Sequence, residues 1–538
     1  MARVSTIVTN FQSGEFSPRL EGRIDLQKYS SGAQELTNMV VFPQGGVTRR
    51  PGTYYAGTSK SGGKVRLIPF EFSDEQAYIL EVGASYIRFF ADGGTVVSGG
   101  SAVEVATSYT ESEVFELNFV QSADVMYFVH KNHPPAKLTR TTATSFTFED
   151  IDFIEGPYLD ENTTDTTLYA SANTGTVTVT ASAATFTSDD VGRLIRFREI
   201  LEIVHDEWAA GTSYNDGDTV RYNGHVYEQV TGSTQTSGNT PPVHLSGTET
   251  YGNIDWLYLH DEFGSVTVTA FTNSTTVTAV VHADQYGNSR LPDSAVGVAN
   301  ANTRWSLGAF GGDQGYPRAV AFYEQRLFFA GTTGQPQTIF ASVTADFENM
   351  TPGTNDDDAI NITIASDTVN IIKHMIQGRF LQILTSSAEF TLSGGTGSTV
   401  ATPTNVNVLR ETTFGSGDVR PLRAGSATIL IQKGAEKVKE VSFNLDNDGL
   451  IGRDLTILAE HLARGGLTDM TWQQEPELIL WFVRSDGVLV GLSYDPANQT
   501  IGWHSHTLGG TAEVESIASI PSGAEDQVYL SVKRTING

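Results

Sequence analysis

Histidines occur in two pairs whose spacing could serve metal binding. His504 and His506 alternate along a segment with strand periodicity, so both imidazoles should face the same side of that strand. His130 and His133 flank a turn that contains two prolines. A zinc site needs at least three protein ligands, and the sequence nominates no third ligand for either pair. We therefore predict that neither pair holds a metal ion.

Two other segments match parts of known ligand-binding loops. Residues 444–449 (NLDNDG) have the alternating oxygen side chains and the glycine of a calcium loop, but Leu455 stands where such loops carry a bidentate glutamate. Residues 57–64 (GTSKSGGK) resemble a phosphate-binding loop, yet Val65 replaces the hydroxyl residue that would reach magnesium. The sequence contains no G-x-S-x-G or H-E-x-x-H motif. It predicts no catalytic residue, no metal and no cofactor, and an enzyme is the minority hypothesis.

Composition narrows the fold class and the partners. The 34 basic and 62 acidic residues give a net charge of −28, and 53 glycines with only 18% charged residues disfavour an all-helical protein. A net negative charge of this size repels the phosphate backbones of nucleic acids, so specific nucleic-acid binding is not expected. The longest apolar run is too short for a membrane span, and without cysteine there are no disulfides or thiolate metal sites. We expect a protein without stable membrane insertion that is stabilised by packing alone.

A strand–turn–strand pattern repeats along the chain. Central strand residues of seven such hairpins are Ile79, Tyr127, Phe328, Ile383, Ile429, Ile479 and Tyr529. Their separations are 48, 201, 55, 46, 50 and 50 residues. A period of about 40 to 50 residues built from short strands is typical of β-propeller blades. We predict an all-β fold based on a propeller of six or seven blades; the alternative is an irregular β protein with evenly spaced hairpins.

The long gap between the second and third hairpins predicts an insertion. Residues 175–180 (GTVTVT) and 265–269 (SVTVT) alternate as half-buried strands do, which indicates a small β-sandwich or barrel. An aromatic cluster in residues 206–260 interrupts this alternation and predicts a nested mini-module. The predicted organisation is an N-terminal arm or docking segment at 1–60, a first propeller part at 61–157, the inserted domain at 158–295 with the nested module at 206–260, and a second propeller part at 296–538.

Helical periodicity is convincing in one segment only. Residues 454–462 (DLTILAEHL) place three leucines on one face, with two glycines after them as a stop signal. A second, weaker helical pattern covers residues 25–36.

Several long segments resemble the tail nozzle proteins of short-tailed bacteriophages, also called tail tubular protein B or tail stabilisation proteins. The first is residues 10–57 (NFQSGEFSPRLEGRIDLQKYSSGAQELTNMVVFPQGGVTRRPGTYYAG), and the others are residues 121–135, 319–342 and 454–495. The resemblance implies a structural virion protein of the phage tail, a propeller subunit of which six form the distal ring below the portal and adaptor rings. It also implies assembly in the host bacterial cytoplasm.

The same resemblance implies a set of partners. These are other copies of the chain in a homohexamer, the tail adaptor ring, the tail fibres or spikes, and genomic DNA that passes through the channel without specific binding.

The nested segment resembles the small carbohydrate-binding modules of chitinases. The matching aromatic residues, which are candidates for glycan binding, are Trp208, Tyr214, Tyr222, Tyr227 and Trp256. Chitinase modules commonly continue with an exposed aromatic pair, whereas residues 228–231 here are EQVT. A module this small also needs its aromatic rings for its own core. We favour a structural or decorative module, and a tail adhesin that binds host-surface glycan through this module is the alternative function.

A basic and aromatic segment in the N-terminal region is the candidate subunit interface. Arg49 and Arg50 are followed closely by Tyr54 and Tyr55 in a chain that is poor in basic residues. Guanidinium groups pair with carboxylates and stack on rings, and Arg and Tyr dominate binding hot spots. We predict a contact with a neighbouring subunit or the adaptor ring. The equally weighted alternative is that this segment closes the propeller internally and that both arginines pair with carboxylates of their own chain.

Overall fold

The computed structural model describes residues 8–73, 75–367, 369–395 and 400–535. Residues 1–7 of the predicted arm and 536–538 of the predicted second propeller part lie outside this range. The only α-helix within it is α1 (Leu201–Val204), and no described helix has the length and apolarity that a membrane crossing requires. The short 3-10 helices are Pro18–Leu20, Gln27–Ser31, Lys60–Gly62, Glu113–Phe115, Ser188–Asp190, Asp293–Ala295, Val298–Asn300, Gly312–Gln314, Glu460–Leu462 and Pro496–Asn498.

The chain begins with short strands and continues into two antiparallel sheets. The N-terminal strands are β1 (Gly14–Glu15), β2 (Gly32–Ala33), β3 (Met39–Val41) and β4 (Val47–Arg49). Sheet one and the small ribbon beside it contain β5 (Arg66–Ser73), β6 (Gln76–Gly83), β7 (Tyr86–Ala91), β8 (Gly94–Thr95), β9 (Val97–Ser98), β10 (Ser101–Ala102) and β11 (Glu104–Ala106). Sheet two contains β12 (Asn118–Ser122), β13 (Val125–His130), β14 (His133–Thr142) and β15 (Ser145–Asp150).

A six-stranded sheet follows sheet two along the chain, and a further set of strands is inserted between two of its strands. Its members are β16 (Leu168–Ala170), β17 (Thr176–Ala181) and β18 (Leu194–Arg198) before the enclosed set. The enclosed strands are β19 (Asp206–Glu207), β20 (Ser213–Tyr214), β21 (Thr219–Tyr222), β22 (His225–Gln229), β23 (Gln235–Thr236), β24 (Thr248–Tyr251) and β25 (Ile254–His260). The six-stranded sheet then resumes with β26 (Phe263–Asn273), β27 (Thr276–Val281) and β28 (Trp305–Leu307). Val177 and Val179 are buried, as the alternating pattern predicts.

The remainder of the chain forms further sheets in sequence order. Sheet three contains β29 (Ala319–Tyr323), β30 (Arg326–Ala330), β31 (Thr338–Ala341) and β32 (Ile360–Thr363). Sheet four contains β33 (Ile372–Gln377), β34 (Leu381–Thr385), β35 (Glu389–Ser393) and β36 (Asn407–Thr412). Sheet five contains β37 (Leu422–Ala424), β38 (Ala427–Ile431), β39 (Val438–Asn444) and β40 (Gly449–Asp454). Sheet six contains β41 (Leu467–Gln473), β42 (Ile479–Arg484), β43 (Leu489–Asp495) and β44 (Thr500–His506), and sheet seven is the hairpin of β45 (Glu513–Ser522) and β46 (Glu525–Lys533).

Apolar clusters join each of these seven sheets to the next. In order from the contact of sheets one and two, representative pairs are Phe89 with Phe146, Val129 with Phe329, Phe328 with Ile383, Leu384 with Leu430, Ile431 with Leu480, Trp481 with Ile517, and Ile520 with Ile79. The last pair returns to sheet one, so the succession of sheets closes on itself. Strands such as β6 are buried on both faces, which explains why their sequences are continuously apolar. The prediction of an all-β, propeller-like fold is confirmed.

The helix predicted at residues 454–462 is wrong. Strand β40 extends to Asp454, and only a single 3-10 turn forms at the end of the segment. Leu455 and Leu462 are buried in the cluster between sheets five and six, so tertiary packing outweighs the helical spacing of the leucines. The weaker helical pattern at residues 25–36 likewise becomes a 3-10 helix followed by β2.

Candidate functional site

The N-terminal segment is attached to sheet six by backbone pairing. Strand β1 lies parallel to β44, with Gly14 opposite Trp503, and β2 continues the sheet beyond it. A Cβ atom at Gly14 would lie 2.2 Å from the Trp503 nitrogen, and φ there is +69°, so this approach needs glycine. The Glu15 carboxylate accepts a hydrogen bond from the Leu36 N–H and pairs with His461 at 2.8 Å. These contacts hold the segment in place up to the candidate interface residues.

The candidate interface residues lie at the end of β4 and in the segment that follows it. The Tyr54 and Tyr55 side chains are 85% and 73% exposed. The Arg50 guanidinium donates to the Pro51 carbonyl at 2.7 Å, and partial burial lowers its pKa. Arg49 is exposed, and within the described residues neither arginine forms an ion pair. The alternative that both arginines pair with carboxylates of their own chain therefore finds no support in the described structure.

The nested module, residues 206–260, is built around its aromatic residues. Tyr227 and Trp256 are 0% and 1% exposed, and Tyr214 packs edge-to-face on Trp256 with ring centroids 5.3 Å apart. The Tyr227 hydroxyl donates to the His244 carbonyl at 3.0 Å, and burial raises the pKa of Tyr227. A sugar stacks on an exposed ring face, which these three side chains do not offer. They are core residues, and this corrects their place among the glycan-binding candidates.

Trp208 and Tyr222 are the remaining candidates, and both are half-buried. Their rings meet edge-to-face, with centroids 6.0 Å apart and planes at 75°. The backbone N–H of Trp208 donates to the Arg221 carbonyl at 2.9 Å, which holds this part of the chain beside the end of β21. Asn223 and Gly224 make a hairpin turn between β21 and β22, with positive φ values of 51° and 81°. This ring pair at the edge of the module's sheet is the candidate carbohydrate-contacting surface.

The segment that replaces the aromatic pair of chitinase modules is structural. Gln229 is buried, and its side-chain amide donates to the Ser233 carbonyl at 2.7 Å. Its carbonyl oxygen accepts from the Thr231 N–H at 3.0 Å. Residues 228–231 therefore hold a turn together and present no ring to a ligand.

One segment of the chain is similar to a known protein family. Residues 207–248 match carbohydrate-binding module family 5/12. No curated protein matches the chain.

The solved structures that resemble the chain are distant from it. The WD40 domain of Pan2 from Neurospora crassa is 11% identical, with 64% of this chain and 94% of that domain covered and a TM-score of 0.24. AztD from Citrobacter koseri is 7% identical, with coverage of 90% and 91% and a TM-score of 0.29. An auxiliary nutrient binding protein from Bacteroides thetaiotaomicron is 10% identical, with coverage of 60% and 78% and a TM-score of 0.25.

The His504–His506 pair faces one side of β44, as predicted, and forms a directional hydrogen-bond chain. The Val41 carbonyl can only accept, so the Ser493 hydroxyl donates to it at 2.8 Å. The hydroxyl oxygen then accepts from His504 Nε2 at 3.3 Å, and His504 Nδ1 accepts from His506 Nε2 at 2.6 Å. Burial lowers the pKa of His504 to about 3 and that of His506 to about 2. Both imidazoles are neutral members of the core.

Two groups of metal-ligating side chains come together that sequence reasoning missed. Glu113 joins His130 and His133, and Glu199 joins His205 and His260. The sequence offered one usable signal for the second group, because its histidines stand at the two ends of the nested module. Nothing local marks either glutamate, since each is brought in by the fold.

Proposed function

We propose that the chain is a structural subunit of the tail nozzle of a short-tailed bacteriophage, in which copies of it form a ring around a DNA channel. The sequence resemblance supports this role, because its longest segment, residues 10–57, is the one that docks on sheet six and carries the candidate interface. We infer a propeller of seven blades, formed by sheets one to seven, because the apolar clusters between the described sheets return to their start. The six-stranded sheet is then an insertion between blades two and three, with the module nested in it.

The exposed aromatic residues of the interface segment are the observation that carries the proposal. Tyr54 and Tyr55 are adjacent and almost fully exposed, beside arginines without an ion-pair partner in the described part of the chain. Tyrosine and arginine are enriched in the buried centres of protein interfaces. Contact with a neighbouring subunit or the adaptor ring would cover these rings and supply carboxylates to the guanidinium groups. The strongly acidic chain offers many such carboxylates.

The net negative charge of the chain is suited to a protein that surrounds passing DNA. In a ring of six copies, the number that the family resemblance implies, each subunit brings a net charge of −28. Acidic groups that line a bore repel phosphates over about 8 to 10 Å at physiological salt, which keeps DNA mobile. The role is structural and not catalytic. Its partners are the adaptor ring, the fibres or spikes and the passing DNA, in a virion tail assembled in the host cytoplasm.

Interface variants test the proposal. Tyr54→Ser with Tyr55→Ser, and separately Arg49→Ala with Arg50→Ala, should keep the wild-type melting temperature and lose ring or tail assembly. Val298→Ser is the control, because Val298 is 75% exposed but lies between β27 and β28 of the six-stranded sheet, away from the N-terminal segment. Assembly that is unchanged in both double variants, or a large fall in melting temperature with either, would show that the segment is not an intermolecular contact.

Glycan binding by the nested module is a second candidate function. The family match at residues 207–248 and the half-exposed Trp208–Tyr222 pair favour it. Titration of the full chain with chitin oligosaccharides tests it: Trp208→Ala should abolish binding, whereas Tyr286→Ala, outside the module, should not. Absence of binding by the wild-type chain would leave the module a decorative or structural one.

A further inference from the structure

Glu199, His205 and His260 meet in the interior where the nested module joins the six-stranded sheet. Glu199 follows β18, His205 follows α1, and His260 ends β25. Glu199 Oε2 lies 2.8 Å from His205 Nε2 and 3.8 Å from His260 Nε2, and the three ligand atoms all lie within 4.8 Å of one another. All three residues are buried.

The surrounding hydrogen bonds orient the His205 and His260 Nε2 atoms and Glu199 Oε2 toward the centre of the group. His260 Nδ1 faces the Asp261 carbonyl, which can only accept, so Nδ1 carries the proton and Nε2 is unprotonated in the neutral ring. Without a metal ion, His205 Nε2 donates to Glu199 Oε2 at 2.8 Å. His205 Nδ1 lies 2.8 Å from the Thr219 hydroxyl oxygen, which can also accept, so the proton of the neutral ring can move to Nδ1 when Nε2 binds a metal ion. Glu199 Oε1 accepts from the Ser294 N–H at 3.3 Å, and Oε2, which accepts from His205 Nε2, faces the two imidazoles. Such outer contacts fix the orientation of metal ligands.

We propose that these three residues bind one divalent transition-metal ion of the zinc class. Two imidazoles and one carboxylate are a ligand set that zinc uses, whereas calcium and magnesium prefer oxygen atoms alone. At zinc–nitrogen distances near 2.0 Å, tetrahedral ligand atoms stand about 3.3 Å apart. The observed separations of 2.8 and 3.8 Å lie on either side of that value, so small side-chain movements bring the ligands into place. Water completes the coordination.

The other His–Glu group lacks this arrangement. His130 Nδ1 accepts the Asn132 N–H at 3.2 Å, and this backbone group cannot accept a proton in return, so the proton of the neutral ring stays on Nε2, the atom that would have to bind the metal. The Glu113 carboxylate oxygen on that side already accepts from the Thr110 N–H and hydroxyl at 3.0 and 2.8 Å. Glu113 therefore supplies a matched control residue.

A bound ion would fasten the module to its surroundings. His205 and His260 flank residues 206–259 on either side, and Glu199 directly follows β18 of the sheet that encloses them. One ion held by all three would cross-link the first and last strands of the module to that sheet. The site thus has a structural role, and the inference stands independently of the nozzle proposal.

Zinc titration of the full chain tests the site. After removal of metal with a chelator, calorimetry should show one Zn²⁺ bound per chain. Glu199→Gln and His260→Gln should each weaken binding by at least about 10 to 100-fold, the loss that even outer-contact changes produce, and Glu113→Gln should not change it. No binding by the wild-type chain, or binding unchanged in both site variants, would overturn the proposal.

A second measurement uses only the wild-type chain. It therefore tests the site even if one of the variants does not fold. Co²⁺ added to the metal-free wild-type chain should give the intense visible absorption of a four-coordinate ion, and Zn²⁺ should displace it. The weak spectrum of six-coordinate Co²⁺ would contradict the proposed geometry.

Discussion

The His504–His506 pair should make the stability of the protein sensitive to mild acid. The series of hydrogen bonds runs from His506 through His504 and Ser493 to the Val41 carbonyl. Every bond of this series is made when both imidazoles are neutral. An added proton could go only to His506 Nδ1, which is buried and has no hydrogen-bond partner within the described residues. The unfolded chain has no such restriction, and its histidines titrate near a pKa of about 6.5.

The size of the effect follows from the difference between the folded and unfolded pKa values. Because burial lowers the folded pKa of His504 to about 3 and that of His506 to about 2, the unfolded state binds protons that the folded state does not below a pH of about 6.5. Stability is complete above that pH and falls as the pH is lowered. Between pH 7 and pH 5 each histidine should cost about 2 kcal/mol of unfolding free energy, or about 4 kcal/mol for the pair.

Urea unfolding of the wild type and of His506→Gln at pH 7, 6 and 5 measures this effect. The glutamine amide can still donate to His504 Nδ1, and both proteins share all carboxylates, so the difference isolates one histidine. The variant should lose about 2 kcal/mol less than the wild type between pH 7 and pH 5. An equal pH dependence in the two proteins would refute the view that His506 is neutral and proton-excluding in the folded state.

Three further changes have distinct expected outcomes. Trp256→Ala should cost about 3 to 5 kcal/mol and unfold the nested module, seen as rapid proteolysis there, whereas Trp208→Ala should leave the module protease-resistant. Gly14→Ala should destabilise the docked N-terminal segment by at least about 1 to 2 kcal/mol through its left-handed backbone, beyond the clash with Trp503, and limited proteolysis should release the segment. Deletion of residues 206–260 should leave the remaining chain folded, with a cooperative melting curve. The reason is that the two ends of the module lie side by side, so a short linker can rejoin them. Loss of all folded protein would contradict the prediction that the module is nested.

Features that depend on local chemistry could be predicted from the sequence. Continuous apolar runs separated by turns such as Asp486-Gly487 predict hairpins, because the turn needs a positive φ and Gly487 has one of +80°. Alternating valines predicted the half-buried strands of the six-stranded sheet. The aromatic pattern of the nested module was also recognisable, and the family match at residues 207–248 supports it.

Features that depend on distant contacts could not be predicted in this way. The leucines of residues 454–462 have helical spacing, yet Leu455 and Leu462 pack into the cluster between two sheets, where the chain is extended and then turns. Tyr214 and Trp256 match a binding-module pattern, but a small module uses them to build its core. Glu199 meets His260 only because β18 and β25 end at the same place, which no spacing in the sequence reveals.

The size of the assembled protein under native conditions tests the central proposal most directly. Native mass spectrometry together with particle images should show a closed ring of six 58.1 kDa subunits around an open channel. A chain that stays monomeric at all micromolar concentrations and gives no ring when mixed with its adaptor would contradict the account.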